Sequence, residues 1–319
     1  MPRPLEGALR FVFFGTPEFA VDVLDAVEAA GQVPVAVVCQ PDRPRGRGRR
    51  PVAPPVKDWA AQRGIEVLQP PRQKDPDYRR RFAALQPELA LVAAFGQILP
   101  RQVLAVPRLG FINVHPSLVP RYRGAAPLQW TLINGDRETG VSILEVTPRI
   151  DDGDVLAQQR VAVEPDENAA ELGARLAALG GRLAAEVMAR LERGPIARRP
   201  QGQAGLVMAR QLGKADGRLD WNQPARALHD RVRGVQPWPG ATTRLGDQPL
   251  KIARTRPEPD RGHPQAAPGQ IIEAAGERLL VQTGQGALAL LEIQPAGKKR
   301  MPARAFLAGR RIEPGTRLG

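Results

Sequence analysis

The feature that most constrains the fold of this chain is the alternation of short apolar runs with helical patterns over its first 150 residues. Four runs, at 10–15, 33–40, 88–96 and 110–115, are mostly apolar, which is typical of strands buried on both faces. Helical patterns lie among them. Because strands joined through helices pair in parallel by right-handed crossovers, we predict an α/β fold with a Rossmann-like, mostly parallel sheet and flanking helices.

Further elements of this first domain are predicted from residue periodicity. Thr16 and Pro17 suit the N-cap and first position of a helix that reaches about Ala30. Additional helices are predicted over 55–64, 75–87, 124–135 and 168–194, and additional strands over 140–146 and 155–163. The first domain is therefore predicted to span residues 1–193.

The pattern changes after Gly194. Residues 194–205 are rich in proline, glycine and arginine without periodicity, which predicts a linker. Short alternating segments separated by glycine-containing turns follow at 269–275, 278–283 and 287–294. We therefore predict a small, OB-like antiparallel β-barrel as a C-terminal domain over 206–319.

The charge is strongly basic and unevenly distributed. The chain has 46 Lys and Arg against 33 Asp and Glu, a net charge of +13, and residues 206–319 carry +9 of it. The loop QPDRPRGRGRR (40–50) holds five arginines and one acid, and its prolines and glycines predict that it forms no regular element. An exposed arm of this kind suits the phosphates of a partner such as RNA. Arginine enrichment from genome composition, and a charged loop without a partner, are the alternatives.

Composition also disfavours several classes of protein. Cys39 is the sole cysteine, so no intramolecular disulfide can form and a reducing compartment is expected. No apolar run approaches the roughly 18 residues of a membrane span, and the N-terminal residues suit no secretory signal, so we expect a cytoplasmic protein. The chain lacks a G-x-x-x-x-G-K-[ST] phosphate loop, and its three histidines show no metal-ligand spacing, so neither a nucleotide cofactor nor a metal is expected.

Candidate chemistry lies at the end of the strand predicted over 110–115. Asn113 and His115 point to the same side of this strand because side chains alternate, and the carboxyl ends of parallel strands are where open sheets bind ligands. Pro116 and Pro120 stiffen the loop that follows. A polar pair that merely closes a strand end is the alternative interpretation.

A carboxylate for this pair is available in the loop RIDDGDV (149–155). An amide donor, an imidazole and an acid are the parts of an acyl-transfer site without a protein nucleophile, in which the acid orients the imidazole. The sequence does not decide which of Asp151 and Asp152 is this acid. A solvated Asp-Gly turn without a catalytic role is the alternative interpretation. Ser117 follows a proline and lacks the glycines of a nucleophile elbow, which argues against it as a nucleophile.

Motifs spread over the whole chain resemble those of the folate-dependent formyltransferases, in particular the branch that acts on tRNA. The resemblance rests on the basic loop and on the stretches FFGTPEFA (13–20), FGQILP (95–100), NVHPSLVPRYRGAAPLQW (113–130), IDDGDVL (150–156), GKADGRLDW (213–221) and RGVQPWPGA (233–241). Arg149 and Asp152 stand where the family usually has glycine and threonine.

The resemblance implies transfer of the formyl group of 10-formyltetrahydrofolate to the α-amino group of methionine on initiator methionyl-tRNA, for translation initiation, by a monomer without a metal. It implies catalytic roles for Asn113, His115 and Asp151, with a tetrahedral intermediate stabilised by Asn113 and His115 and with Asp151 orienting His115. The implied folate contacts are Ser117, Leu118, Val119 and Pro120, and the implied tRNA contacts are Arg43, Arg45, Arg47, Arg49 and Arg50. The alternatives are a formyltransferase for a small amine and a folate- or RNA-binding protein without catalysis.

Overall fold

The computed structural model describes residues 9–45 and 50–319. Its strands are β1 (Phe11–Gly15), β2 (Ala36–Val38), β3 (Arg43–Arg45), β4 (Arg50–Val52), β5 (Glu66–Leu68), β6 (Leu89–Ala93), β7 (Phe111–His115), β8 (Arg121–Gly124), β9 (Glu138–Glu145), β10 (Val155–Ala162), β11 (Val207–Ala209), β12 (Ala241–Leu245), β13 (Gln248–Glu258), β14 (Ile271–Ala275), β15 (Arg278–Gln282), β16 (Ala287–Pro295) and β17 (Met301–Pro302). Its α-helices are α1 (Glu18–Ala29), α2 (Pro55–Gln62), α3 (Pro76–Ala84), α4 (Arg101–Leu104), α5 (Pro127–Ile133), α6 (Ala169–Arg193), α7 (Ala225–Gly234) and α8 (Ala303–Ala308).

The chain divides into two compact units, and both are discontinuous in sequence. The first unit contains the chain up to Ala125, Thr139–Val161 and Gly173–Ala209. The second unit contains Ala126–Glu138, Ala162–Leu172 and Arg210–Gly319. The second unit therefore includes two stretches that precede the predicted linker.

The first unit is built on a seven-stranded sheet in the order β10-β9-β7-β6-β1-β2-β5. The neighbours from β7 to β5 are parallel, whereas β9 runs antiparallel to β7. The buried strands pack with α3 around Phe14, whose ring contacts those of Phe82, Phe95 and Phe111 at centroid distances of 5.1–5.4 Å. The predicted mostly parallel sheet is confirmed.

Helix α6 confirms the long helix predicted over 168–194, and two glycines in its middle let it lie close to its neighbours. A Cβ on Gly180 would stand 2.4 Å from Cγ1 of Val114 in β7, and one on Gly181 would stand 2.5 Å from Cβ of Ala26 in α1. Glycine weakens an isolated helix by about 1 kcal/mol relative to alanine, so these positions favour close packing over helix propensity.

The prediction that the basic loop forms no regular element is wrong at both of its ends. Strands β3 and β4 pair as an antiparallel ribbon in which Pro44 faces Pro51. Facing residues of such a ribbon alternate between hydrogen-bonded and non-hydrogen-bonded pairs, so two prolines opposite each other need not interrupt the ladder. The ribbon ends before residues 46–49, which lie outside the described residues.

The second unit contains an antiparallel sheet in the order β12-β13-β16-β15-β14, with β17 paired to β16. The last residues of the chain connect its two edges, because Leu318 bridges Leu245 of β12 and Arg317 bridges Gln270 beside β14. The predicted C-terminal antiparallel sheet is confirmed. Strands β12 and β13 and helices α7 and α8 were not predicted from the sequence.

Helix α7 carries a buried polar network that belongs entirely to the second unit. The guanidinium of Arg233 donates to Asp230 Oδ1 at 2.7 Å and to the carbonyl oxygens of Glu164 and Glu167. The imidazole of His229 lies 3.1 Å from the carbonyl oxygen of Pro165 and 3.1 Å from Oγ1 of Thr255. These contacts bind residues 162–172 to α7.

None of the helices in the described part of the chain is both long and apolar enough to cross a membrane.

Candidate active site

The candidate site starts at the carboxyl end of β7, where the sequence predicted it. Asn113 pairs in register with Val92 of β6 and Leu144 of β9, and His115 pairs with Ser142 of β9. Both side chains project from the same face of the sheet because they are two residues apart in a strand. His115 is buried, 3% exposed, whereas Asn113 is partly exposed, so Asn113 is the member of the pair that reaches the surface.

The imidazole of His115 is fixed by a backbone carbonyl. Its Nε2 lies 2.9 Å from the carbonyl oxygen of Tyr122. Because a carbonyl oxygen only accepts, Nε2 carries the hydrogen and donates it. The neutral ring therefore presents an unprotonated Nδ1, which lies 3.6 Å from Oδ2 of Asp151. The carbonyl of Tyr122 makes a hydrogen bond that orients this ring, and Asp151 lies beside the other ring nitrogen.

The carboxylate of Asp151 accepts from two groups of the site. Asn113 donates through Nδ2 to Oδ1 at 3.3 Å, and the backbone N–H of Gly124 donates to Oδ2 at 3.0 Å. A carboxylate only accepts, so the amide nitrogen of Asn113 must face it, which leaves the second N–H of that amide for another acceptor. Asp151 has a backbone φ of +50°, a left-handed conformation that aspartate adopts more readily than most residues.

The neighbouring Asp152 makes different contacts. Its Oδ1 accepts from Oγ1 of Thr147 at 2.6 Å, and its Oδ2 lies 3.3 Å from Nε of Arg149. The structure therefore brings Asp151, of the two acids, to Asn113 and His115. Arg149 pairs with Asp152.

The loop after β7 is held by hydrogen bonds to β9 and β10. Ser142 donates through Oγ to the carbonyl oxygen of Ser117 at 2.6 Å and accepts from the N–H of Val119 at 3.3 Å. Gln158 donates to the carbonyl oxygen of Val119 at 3.2 Å. Ser117 is fully buried, and its hydroxyl donates to the carbonyl oxygen of Arg121 at 2.7 Å. A hydroxyl committed in this way is not available as a nucleophile.

The four residues with implied folate contacts differ in exposure. Ser117 and Val119 are buried, whereas Leu118 and Pro120 are partly exposed. The buried pair shapes the loop backbone. Leu118 and Pro120 are the members of this set whose side chains can contact a ligand.

Three of the five implied tRNA-binding arginines, Arg43, Arg45 and Arg50, lie in the β3–β4 ribbon. Arg43 is exposed, the backbones of Arg45 and Arg50 face each other in the ribbon, and Arg47 and Arg49 lie outside the described residues. At the base of the ribbon, Lys57 donates to Asp42 Oδ2 at 2.8 Å. The hydrogen bonds from Lys57 and Gln69 lower the pKa of Asp42, so this anchor stays ionised at neutral pH.

The arrangement at Asn113, His115 and Asp151 combines an amide donor, an imidazole with a free nitrogen and a carboxylate. These groups can donate to a developing oxyanion and accept a proton from an attacking amine. Within the described ranges, no group of three His, Cys, Asp or Glu side chains is arranged to hold a metal ion.

Sequence reasoning missed three contributors to this site. Tyr122 and Gly124 act through backbone atoms, and their positive φ angles of 61° and 120° are the local irregularities that bring those atoms to His115 and Asp151. The glycine in RYRGAAP was the available signal. Gln201 contacts the Asp151 loop from the segment predicted as a linker, and nothing in its sequence surroundings indicated this.

Two family profiles match the chain. The one described as "Formyl transferase" matches residues 9–188, and the one described as "Formyl transferase, C-terminal domain" matches residues 211–311. The methionyl-tRNA formyltransferase of Solibacter usitatus is 46% identical over 311 residues, which cover 98% of this chain and 99% of the relative. The methionyl-tRNA formyltransferase of Myxococcus xanthus is 44% identical over 316 residues, which cover 99% of this chain and 98% of the relative.

Solved structures share the fold at low sequence identity. HypX from Aquifex aeolicus in complex with tetrahydrofolic acid matches with a TM-score of 0.60 at 18% identity, and the match covers 94% of this chain but about half of HypX, 47%. An N-formyltransferase from Helicobacter canadensis in complex with folinic acid and dTDP-3-aminofucose matches with a TM-score of 0.64 at 14% identity. This match covers 90% of this chain and 99% of the N-formyltransferase.

Proposed function

Because the chain belongs to the formyl transferase family, we propose that it transfers the formyl group of 10-formyltetrahydrofolate to the α-amino group of methionine on initiator methionyl-tRNA. The observation that carries this proposal is the similarity over almost the full length, C-terminal unit included, to relatives named methionyl-tRNA formyltransferase. The five arginines of the basic loop and the +9 charge of residues 206–319 suit a polyanionic substrate.

In the proposed reaction the neutral α-amino group attacks the formyl carbon. A free α-amino group has a pKa of about 8, so a usable neutral fraction exists near pH 7 and the enzyme mainly has to position it. The new C–N bond converts the formyl oxygen into an oxyanion. The second N–H of the Asn113 amide, which the carboxylate of Asp151 leaves free, is the donor we assign to that oxyanion.

The attacking amine must then lose a proton. We assign its uptake to Nδ1 of His115, because Nε2 already donates to Tyr122. Oδ2 of Asp151, 3.6 Å away, stabilises the imidazolium. When the bond between the formyl carbon and the folate nitrogen breaks, the proton passes to that nitrogen, so the ring returns to its starting form.

We assign binding roles to the surrounding segments. The loop Ser117–Pro120 is the proposed folate contact, with Leu118 and Pro120 as its accessible side chains. Arg43, Arg45, Arg47, Arg49 and Arg50 are the proposed tRNA contacts. A monomer is expected, and a role in translation carries the expectation of a cytoplasmic enzyme.

The test is formylation of charged tRNA by the purified protein. With 10-formyltetrahydrofolate we expect N-formylmethionine on initiator methionyl-tRNA, and much less on elongator methionyl-tRNA. A dTDP-amino sugar serves as the competing small amine. Formylation of the sugar without formylation of either tRNA would overturn the proposal, and equal use of the two tRNAs would remove its initiator-specific part.

A further inference from the structure

The segment predicted as a linker, residues 194–205, belongs to the first unit and contacts the candidate site. Arg199 forms an antiparallel bridge with Val155 of β10, with N–O distances of 2.8 and 3.1 Å between their backbones. This bridge fixes the chain two residues before Gln201. The side chain of Gln201 therefore approaches the Asp151 loop from an anchored backbone.

The side-chain amide of Gln201 contacts both the loop that carries Asp151 and Arg123 of β8. Nε2 donates to the carbonyl oxygen of Asp151 at 2.9 Å and to that of Gly153 at 2.7 Å. Oε1 accepts from Nε of Arg123 at 2.9 Å. Carbonyl oxygens only accept and a guanidinium only donates, so the orientation of this amide is chemically determined.

These contacts matter because the backbone of the Asp151 loop adopts an uncommon conformation in a closely packed place. Asp151 has a φ of +50°, and a Cβ on Gly153 would stand 1.9 Å from the carbonyl oxygen of Glu145, so the loop backbone is packed without spare room. Arg123 is 7% exposed and directly precedes Gly124, whose N–H donates to Asp151. Gln201 thus joins the backbone of the loop to the strand that holds the carboxylate of Asp151.

We propose that Gln201 is a positioning residue for formyl transfer, and that it acts by fixing the Asp151 loop relative to β8. This inference rests on the proposed catalytic role of Asp151. On this proposal, the segment 194–205 helps to form the active site, as well as connecting it to the C-terminal part of the chain. Gln201 itself does not touch the reacting atoms in this assignment.

Two variants and a matched control test the inference. Gln201→Ala removes all three hydrogen bonds, whereas Gln201→Glu keeps an acceptor for Arg123 and loses the donors to the loop. We expect both to lower kcat by about 10- to 10²-fold, the scale of a small misplacement of a catalytic group. KM for methionyl-tRNA and for the folate should stay within about twofold. Gln203→Ala, an exposed glutamine two residues further on, should keep wild-type kcat.

A double-variant cycle separates positioning from a general structural role. On an Asp151→Asn background, Gln201→Ala should lower kcat by less than about twofold further, because the group that it positions is already disabled. An equal loss in both backgrounds, or a loss confined to the KM for tRNA, would overturn the inference. If Asp151→Asn keeps wild-type turnover, the proposed role of Asp151 fails. If Asp151→Asn loses turnover and Gln201→Ala and Gln201→Glu keep it, only the positioning role fails.

Discussion

At the scale of single residues, the orientation of His115 depends on a backbone atom. The carbonyl of Tyr122 accepts from Nε2, and Tyr122 adopts a φ of +61° to present it. A bulky residue in this conformation costs about 1–3 kcal/mol and is retained only where the surrounding structure enforces it. The acceptor is a backbone atom, so this hydrogen bond does not involve the Tyr122 side chain.

Removal of either polar group of β7 should leave a folded but slow enzyme. We expect Asn113→Ala and His115→Ala to lower single-turnover formylation by at least about 10²-fold, the usual effect of removing a donor to an oxyanion or a proton acceptor. Circular dichroism and urea unfolding check that the fold persists. His263→Ala, at an exposed histidine of the second unit, is the control. Near-wild-type turnover by either β7 variant would reject the assignment.

His229 should make stability dependent on pH. Burial lowers its pKa below the ordinary value of 6.5. Between that lowered value and about pH 6.5, the unfolded chain binds a proton that the folded chain does not, so stability falls as the pH drops through this interval.

Replacing His229 should remove its contribution to the pH dependence of stability. We expect His229→Gln to reduce the difference in unfolding free energy between about pH 7.5 and pH 5.5, by at most about 1.4 kcal/mol per pH unit. The measurement is urea unfolding at both pH values. An unchanged difference would show that His229 is protonated to the same extent in the folded and unfolded chains.

At the scale of elements, the β3–β4 ribbon gives the basic loop a fixed base. Asp42, held by Lys57 and Gln69, anchors the chain where it leaves the sheet. The backbones of Arg45 and Arg50, which flank residues 46–49 in the sequence, face each other in the ribbon. The described part of the loop, the ribbon with Asp42 at its base, therefore has a defined position on the first unit.

Neutralising the loop should reduce the salt dependence of tRNA binding. Each phosphate contact contributes about 0.7–0.9 to the slope of log K against log salt, so changing Arg47, Arg49 and Arg50 to Ser should lower that slope by about 2. Folate binding should not change. The matched control changes Arg80, Arg81 and Arg108 to Ser, three exposed arginines that already pair with acids. An equal effect of both triple variants would count against a specific role of the loop.

At the scale of the whole molecule, the second unit cannot be separated from the first by one cut in the chain. Helix α5 packs on α7, with Trp130 and Ile133 lying against the apolar core of the second unit. Residues 162–172 supply the carbonyl oxygens that satisfy Arg233 and His229. A fragment that begins at residue 206 lacks both stretches.

We therefore expect the fragment 206–319 to be much less stable than the same region in the intact chain. Its buried Arg233 would lose two acceptors, and an unsatisfied buried polar group costs about 1–3 kcal/mol. The apolar face of α7 would also lose the cover of α5. Urea unfolding and the dispersion of amide NMR signals measure this. A well-dispersed spectrum with a cooperative transition like that of the intact chain would contradict the expectation.

The sequence determined six of the seven strands of the sheet of the first unit, all but β5, and the place of the candidate site. Period and length distinguish buried strands from helices, and the carboxyl end of a parallel strand is where its polar residues can meet a ligand. Asn113 and His115 could be assigned to one face by counting alone. The β3–β4 ribbon, β12 and β13 were missed because prolines and mixed polarity hide their pairing, which depends on strands elsewhere.

Only the tertiary structure decided which acid meets the histidine and what holds it. Asp151 and Asp152 are adjacent and chemically identical, and the left-handed backbone at Asp151 sends the two carboxylates to different partners. The contact between Gln201 and the Asp151 loop joins residues 50 positions apart. Local patterns carry no signal for such pairs, because their geometry exists only after the strands between them have folded.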